Sequence, residues 1–233
     1  MNGYGFCFCG IITSRYYTGY KYKNRNLIEG EFAMRHVDVL IVGGGVAGLS
    51  CALFTSKAGL STLVIDNEDS QISDVKQIWN FPGIVEGISG EEWLSAARHQ
   101  VQKYGGQFLT GQVTSLDIHS PIKKVFLEPN KISTNYEWEN PITTTYLVLS
   151  VNLGYQLLED SGFSLAVNEH VPSRKIRYVE GVQYNGRTHI PNVYIAGLLA
   201  HLPSQTVIAS GQGAFVGIQI ASQHLGKAFM WHD

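Results

Sequence analysis

The sequence contains few cysteines, few charged residues and no long apolar run. Its 233 residues include three cysteines and no Cys-x-x-Cys sequence, which excludes a disulfide framework and a redox motif built on paired cysteines. Charged residues make up 15% of the chain and the formal net charge is −2, so we expect no binding to nucleic acid. The longest apolar stretch, 37–60, is interrupted by five glycines, so we also expect no membrane span.

Residues 1–33 differ in character from the rest of the chain. They hold eight of the 26 aromatic residues, and they lack the basic start and the cleavage site of a secretory signal. At Met34 the sequence changes abruptly to a strand-like pattern, and 28–31 can be encoded by a purine-rich ribosome-binding sequence. We interpret 1–33 as a translated leader outside the fold and 34–233 as the domain. The alternative is a genuine flexible N-terminal arm.

The start of the domain has the pattern of a dinucleotide-binding unit. Residues 37–42 predict a buried parallel strand, 49–58 predict a helix that ends at Gly59, and 61–66 predict a second strand. Between the first strand and the helix lie the three glycines of a Gly-x-Gly-x-x-Gly motif. Gly43 permits a tight turn, Gly45 allows the backbone to approach a pyrophosphate, and Gly48 allows close packing of helix and strand.

Two further features support this reading. The first helical residues, Val46 and Ala47, offer free N–H groups and a positive dipole end to phosphates. Asp66 ends the second strand about twenty residues further on, where a carboxylate can accept hydrogen bonds from a ribose. The pattern therefore predicts a bound dinucleotide but does not separate FAD from NAD. The alternative is a fold that retains its glycines for packing.

The next segment contains a rigid turn and a well-marked helix start. Residues 80–83 read Asn-Phe-Pro-Gly, a turn sequence. Ser89 and Glu92 form a capping box in front of an amphipathic helix over 93–104, and 108–117 read as a pair of strands. This segment resembles the thioredoxin reductase family, in which a Gln-Leu-Thr stretch and an Asn-aromatic-Pro-Gly turn lie against the flavin. The resemblance implies that Gln71 and Asn80 contact FAD and that Val113 offers backbone hydrogen bonds to its adenine.

The C-terminal part is similar to the same family. Residues 190–197 resemble its strand entering the flavin site, and 205–214 resemble its closing helix. The resemblance implies that the following residues surround the flavin: Gly197, Leu198, Gln205, Thr206 and Val207. The helix start would then stabilise negative charge at the N1–C2=O edge of the flavin. A second glycine-rich nucleotide motif in this helix is the rival interpretation. Leu198 stands where the family usually has an aspartate that binds the ribityl chain.

The resemblance covers 37–117 and 188–225 and omits a domain. Only about seventy residues separate Asp117 from Thr188, without a second Gly-x-Gly-x-x-Gly, so the family's pyridine-nucleotide domain and its dithiol are missing. We expect an α/β fold: a single Rossmann-like FAD/NAD(P)-binding domain with a parallel sheet and a small antiparallel β addition. It would be built from 34–117 and 188–233, with a short replacement segment, 118–187, that includes a strand over 143–151 and a short helix over 155–160.

These features predict an FAD-binding flavoprotein oxidoreductase that resembles thioredoxin reductase, with donor and acceptor unspecified. A separate redox partner protein or a diffusible reductant would supply electrons. We expect a cytoplasmic protein that can form a homodimer. The alternatives are a non-catalytic flavin-binding or interaction module and a single-domain NAD-dependent dehydrogenase. We expect no metal site, since His170, His189 and His201 lie singly without metal-ligand spacing. His201 is the one local candidate for a proton donor.

Overall fold

The structure of the protein is a computed structural model that describes residues 36–128, 140–151 and 154–231. The expected leader, 1–33, lies outside the described residues, as do Cys7 and Cys9. Among the helices described below, none is long and apolar enough to cross a membrane.

The main sheet has a parallel core. Its strands are β1 (His36–Val42), β2 (Thr62–Asp66), β3 (Gln107–Thr110), β6 (Ile142–Leu149) and β9 (Val193–Ile195), in the spatial order β3-β2-β1-β6-β9. All four pairings in this series are parallel. The carboxyl ends of β1, β2 and β6 therefore meet at one edge of the sheet, where α/β folds place their ligands.

Antiparallel strands extend this core. β4 (Val113–Asp117) pairs with β5 (Lys123–Leu127), and β5 pairs with the first residues of β6. A separate two-stranded antiparallel sheet joins β7 (Leu165–Val167) to β8 (Arg177–Val179). The expectation of an α/β fold with a parallel sheet and a small antiparallel addition is confirmed.

In the part of the chain that the structure describes, four α-helices accompany the sheet: α1 (Val46–Lys57), α2 (Gly90–Lys103), α3 (Tyr155–Asp160) and α4 (Thr206–Leu225). Alternate residues of β1 enter two apolar clusters. Val39 and Ile41 pack in the cluster that also contains α1 and α4 residues, whereas Leu40 and Val42 pack in the cluster that contains α3 residues. Because both faces of the strand are covered, the continuous apolar run of β1 is the expected pattern.

Two helices approach each other through glycines. A Cβ atom at Gly213 of α4 would lie 2.1 Å from the carbonyl oxygen of Ala47 in α1, and one at Gly217 would lie 2.7 Å from the carbonyl oxygen of Cys51. These glycines are four residues apart and so share one helix face. Gly213 and Gly217 therefore form a small-residue face on which the two helices pack closely. Gly211 does not belong to it, because its nearest neighbour outside the helix is the Tyr184 hydroxyl, 3.6 Å from the Cβ position.

The structure also corrects two details of the sequence reading. Helix α2 begins at Gly90 rather than at residue 93, because the capping box at Ser89 sets the first turn: Ser89 Oγ accepts from the Glu92 N–H, and Glu92 accepts from the Ser89 N–H. Strand β5 was not predicted, since Lys123 and Lys124 interrupt its apolar pattern. Lys123 is nevertheless buried, with Nζ donating to the Ser120 carbonyl at 2.6 Å.

The glycine contact gives a first testable prediction. Gly213→Val should lower the free energy of unfolding by about 2–3 kcal/mol, because a side chain at this position overpacks against backbone and forces the two helices apart. Gly211→Ala in the same helix is the matched control. It should be neutral or stabilising by up to about 1 kcal/mol, because its Cβ position is open and alanine favours the helix. Urea unfolding of both variants measures the difference; equal stabilities would contradict the packing role.

Candidate functional site

The glycine motif forms a tight turn between β1 and α1. Gly43 has a φ of +106°, which side chains rarely tolerate, and its N–H donates to the Ile65 carbonyl at 2.8 Å. A Cβ at Gly48 would lie 2.0 Å from the carbonyl oxygen of Gly43, so Gly48 closes the turn onto itself. At Gly45, by contrast, the nearest heavy atom to a Cβ would be Ser70 Oγ at 3.3 Å. Gly43 and Gly48 are thus required by the fold, whereas a side chain at Gly45 would meet only the Ser70 hydroxyl.

The carboxyl ends of β1, β2 and β6 line a cavity, here called the strand-end cavity. Its walls include the glycine turn, Asp66, Val113 and Ser150. Asp66 is buried, and its Oδ1 accepts the Gly44 N–H at 3.2 Å. The Arg98 guanidinium of α2 forms an ion pair with the other carboxylate oxygen and lies 5.1 Å from the centre of the Phe108 ring. The negative charge at this end of the cavity is therefore compensated.

A second cavity, here called the helix-end cavity, lies where α1 and α4 begin. It is lined by residues from three segments: Gly45, Val46 and Ala47 of the first helix start; Gln71, Ile72 and Val75; and Gly197, Leu198, Gln205 and Thr206. The structure thus brings together eight of the residues expected at the site from distant parts of the chain. Val207 is not among the lining residues and is 36% exposed.

The two cavities share three wall residues: Gly45, Ser70 and Ser150. Ser150 follows β6, and its Oγ donates to the Val42 carbonyl at 3.1 Å and lies 2.9 Å from the Gly43 carbonyl. Its side chain therefore fixes the position of the glycine turn at the point where the cavities meet. The two cavities therefore adjoin at this turn, and together they are called the groove below.

The helices that bound this groove begin differently from α2. Helix α2 has a complete capping box and two glutamates in its first turn, whereas α1 and α4 have no side-chain cap and no acidic residue there. Gly45 precedes α1 and has no side chain, and the Gln205 side chain before α4 accepts a hydrogen bond from Asn80 Nδ2 at 2.5 Å. The first N–H groups of both helices thus remain for other acceptors. The phosphate and carbonyl oxygens of a dinucleotide are hydrogen-bond acceptors of this kind.

The wall of the helix-end cavity is held by a buried glutamine. Gln212 of α4 accepts the Gly197 N–H at 2.8 Å and donates to the carbonyls of Ile195 and Tyr184, both at 3.3 Å. Gly197 itself has a φ of +77° and begins a short 3₁₀ turn, Gly197–Ala200. Leu198 in this turn is buried and lines the cavity. Its side chain therefore occupies the wall where the sequence suggested a missing carboxylate.

The placement of His201 differs from the expectation. It is not among the lining residues of either cavity. Its ring stacks on Tyr178 with centres 3.8 Å apart, and its Nε2 lies 2.9 Å from Glu169 Oε2. His170 is also close, with ring centres 4.9 Å apart. The expectation that His170 and His201 are isolated was wrong, because the 3₁₀ turn brings the segments that carry them together.

Sequence reasoning missed three residues of the site: Arg98, Ser150 and Gln212. Each acts through a contact between distant segments that no local motif marks. Cys51 of α1 is an inert thiol. It is fully buried, and burial raises the pKa of its thiol far above the ordinary value. It is the one cysteine within the described residues, so this part of the chain contains no dithiol.

Comparisons with known proteins agree with this geometry. A family model for the FAD binding domain matches residues 38–76. Thioredoxin reductase from Aquifex aeolicus is 37% identical over 91 residues, which are 38% of this chain and 28% of that protein. Thioredoxin reductase 1 from Saccharomyces cerevisiae is 24% identical over 156 residues, 64% of this chain and 44% of that protein.

A solved thioredoxin reductase from Gloeobacter violaceus shares the fold with a TM-score of 0.64. Its sequence identity is 21%, over 85% of this chain and 98% of that chain. The chain spans little more than a quarter of the length of the Aquifex relative. The chain described here therefore matches the FAD binding domain over 38–76 and is similar to thioredoxin reductases over part of its length.

Proposed function

We propose that this chain is a flavoprotein oxidoreductase that holds FAD along the groove formed by the strand-end and helix-end cavities. The observation that carries the proposal is the pair of uncapped helix starts, at Val46 and Thr206, that both line the helix-end cavity. Bound FAD would supply the electron-transfer chemistry. The chain's residues bind it, orient it and limit the access of water.

Each end of the groove suits a different part of the cofactor. The adenosine end would lie in the strand-end cavity, near Val113 and Asp66, and the diphosphate would lie over Gly45 and the start of α1. Because Asp66 is paired with Arg98 and with the Gly44 N–H, it adds no uncompensated charge beside the diphosphate. This pairing also fixes the direction of the carboxylate relative to the ribose.

The flavin end would lie in the helix-end cavity. There the start of α4 would direct its N–H groups at the flavin carbonyl edge and stabilise negative charge on the reduced form. The Asn80–Gln205 hydrogen bond ties the Asn-Phe-Pro-Gly turn to this helix start. Gln71 and Leu198 would complete the enclosure.

The source of electrons lies outside this domain. The sequence contains one Gly-x-Gly-x-x-Gly motif after a strand and no Cys-x-x-Cys. We therefore propose that a separate protein or a diffusible reductant delivers electrons, and that a partner protein or small molecule accepts them. The deciding experiment identifies the flavin in the purified protein by its absorbance and then measures turnover with reductant and acceptor. A flavin that is never reduced and reoxidised would favour a non-catalytic binding module, and a colourless protein that binds NAD would favour a dehydrogenase.

The glycine turn yields a prediction about binding. Gly45→Val should reduce FAD affinity by at least about 100-fold, because the new side chain enters the space proposed for the diphosphate. The fold should survive, since Gly45 has a φ of −79° and a Cβ there contacts only Ser70 Oγ. FAD fluorescence titration and the melting temperature of the apoprotein measure the two effects. Stoichiometric FAD in this variant would show that Gly45 does not face the cofactor.

The second binding prediction concerns Leu198. Leu198→Asp should tighten FAD binding about tenfold or more, because one charge-assisted hydrogen bond to a ribityl hydroxyl contributes about 1.5–3 kcal/mol. The opposing cost of desolvating the carboxylate is reduced because the position borders a cavity. Leu198→Asn is the matched neutral control and should give a smaller gain. Weaker FAD binding with an unchanged apoprotein melting temperature would show that Leu198 does not occupy the ribityl position.

The absence of a second nucleotide motif predicts a slow reaction with NADPH. Micromolar NADPH should reduce the bound flavin slowly or not at all, because the sequence contains no second Gly-x-Gly-x-x-Gly motif to position a pyridine nucleotide. Stopped-flow absorbance measures the rate, and dithionite reduction of the same sample controls for the accessibility of the flavin. Rapid bleaching by NADPH would contradict the prediction.

A further inference from the structure

A cluster of three potential metal ligands lies outside both cavities. It consists of the Glu169 carboxylate and the imidazoles of His170 and His201, here called the Glu-His-His cluster, whose ligand atoms all lie within 4.8 Å of one another. Two imidazoles and a carboxylate are a ligand set that zinc uses with an open fourth position. The site described above makes no use of this cluster.

We propose that the Glu-His-His cluster binds a divalent transition-metal ion of the zinc class. Tetrahedral zinc with ligand bonds of about 2.0–2.2 Å separates its ligand atoms by about 3.4 Å. The Glu169–His201 pair lies at 2.9 Å and no pair exceeds 4.8 Å, so small side-chain rotations reach this geometry. The Glu169 side chain is 61% exposed and that of His201 is 32% exposed, which leaves room for these rotations and for a water ligand.

The backbone that carries the ligands is held by a buried asparagine. Asn168 is fully buried; its Oδ1 accepts the His170 N–H at 3.0 Å, and its Nδ2 donates to the carbonyls of Leu202 at 3.0 Å and Leu198 at 3.4 Å. One side chain therefore joins the segment of Glu169 and His170 to the turn that ends at His201. This is the kind of preorganisation that a metal site needs, since ligands on unconnected loops would lose more conformational entropy on binding.

The ring of His201 is oriented as well. His201 has a φ of +61°, a left-handed conformation that ends the 3₁₀ turn, and its ring is stacked nearly parallel on Tyr178 at an interplanar angle of 10°.

A bound ion would connect the cluster to the cofactor groove. Leu198, near the start of the 3₁₀ turn, lines the helix-end cavity, and His201, which ends the turn, belongs to the Glu-His-His cluster. Zinc would hold this turn against the segment after β7. We expect it to raise the melting temperature of the protein, with a smaller effect on the affinity for FAD.

The experiment is a titration of tag-free, metal-stripped full-length protein with ZnCl₂ by isothermal calorimetry. CoCl₂ spectra report the ligand geometry, and bound FAD is measured on the same sample. We expect one zinc ion per chain, and we expect His201→Ala or His170→Ala to weaken binding by at least about 100-fold. His119→Ala, an exposed histidine after β4, is the matched control and should leave zinc binding unchanged. A Cys7→Ser, Cys9→Ser background removes the thiols outside the described residues.

The outcomes separate this proposal from the flavin proposal. Loss of zinc binding in the two histidine variants, with folding and FAD content retained, would support the metal site whatever the reaction at the flavin. Zinc binding that survives in the double variant His170→Ala, His201→Ala would overturn the proposal. So would the absence of zinc binding by the folded parent protein, because the cluster would then be an ion pair with a neighbouring imidazole.

Discussion

The close contact between α1 and α4 is the constraint on which the groove depends. Gly213 and Gly217 place α4 directly against the backbone of α1 at Ala47 and Cys51. With ordinary side chains at these positions, the helix axes would move apart and the start of α4 would leave the glycine turn. The two glycines thus act on binding without lining a cavity. They bring a second helix start beside the first, and the groove then borders two positive dipole ends.

The charges around the groove follow from this arrangement. Two uncapped helix starts favour an anionic ligand, and a buried carboxylate at the same sheet edge would oppose it. Arg98 removes this conflict by pairing with Asp66 from α2. Helix α2 can supply this arginine because its own start is satisfied by Ser89 and Glu92. The helix that supports the site, α2, is capped by its own residues. The first N–H groups of α1 and α4, which border the groove, have no side-chain cap and can bind the ligand.

The parts that could be predicted from the sequence are those that local chemistry determines. The turn at Gly43, the short helix over 155–160 and the capping box at Ser89 each depend on residues close together in the chain, and the structure contains all three. Strand β5 was missed because Lys123 is buried against expectation. The Arg98–Asp66 pair and the Glu-His-His cluster join residues 32 positions apart, and such contacts exist only once strand order and helix packing are fixed.

Two buried amides control the turn that separates the groove from the Glu-His-His cluster. Gln212 binds the Gly197 N–H, and Asn168 binds the Leu198 and Leu202 carbonyls. The backbone of the turn is therefore anchored at both ends by side chains that do not belong to it. Because the Leu198 side chain takes no part in this anchoring, its replacement changes the cavity wall and leaves the turn in place. A metal ion at the Glu-His-His cluster lies on the far side of this turn and can act on the cofactor only through the backbone of the turn. Because Gln212 and Asn168 already hold that backbone, we expect the ion to change the affinity for FAD less than it changes the stability of the protein.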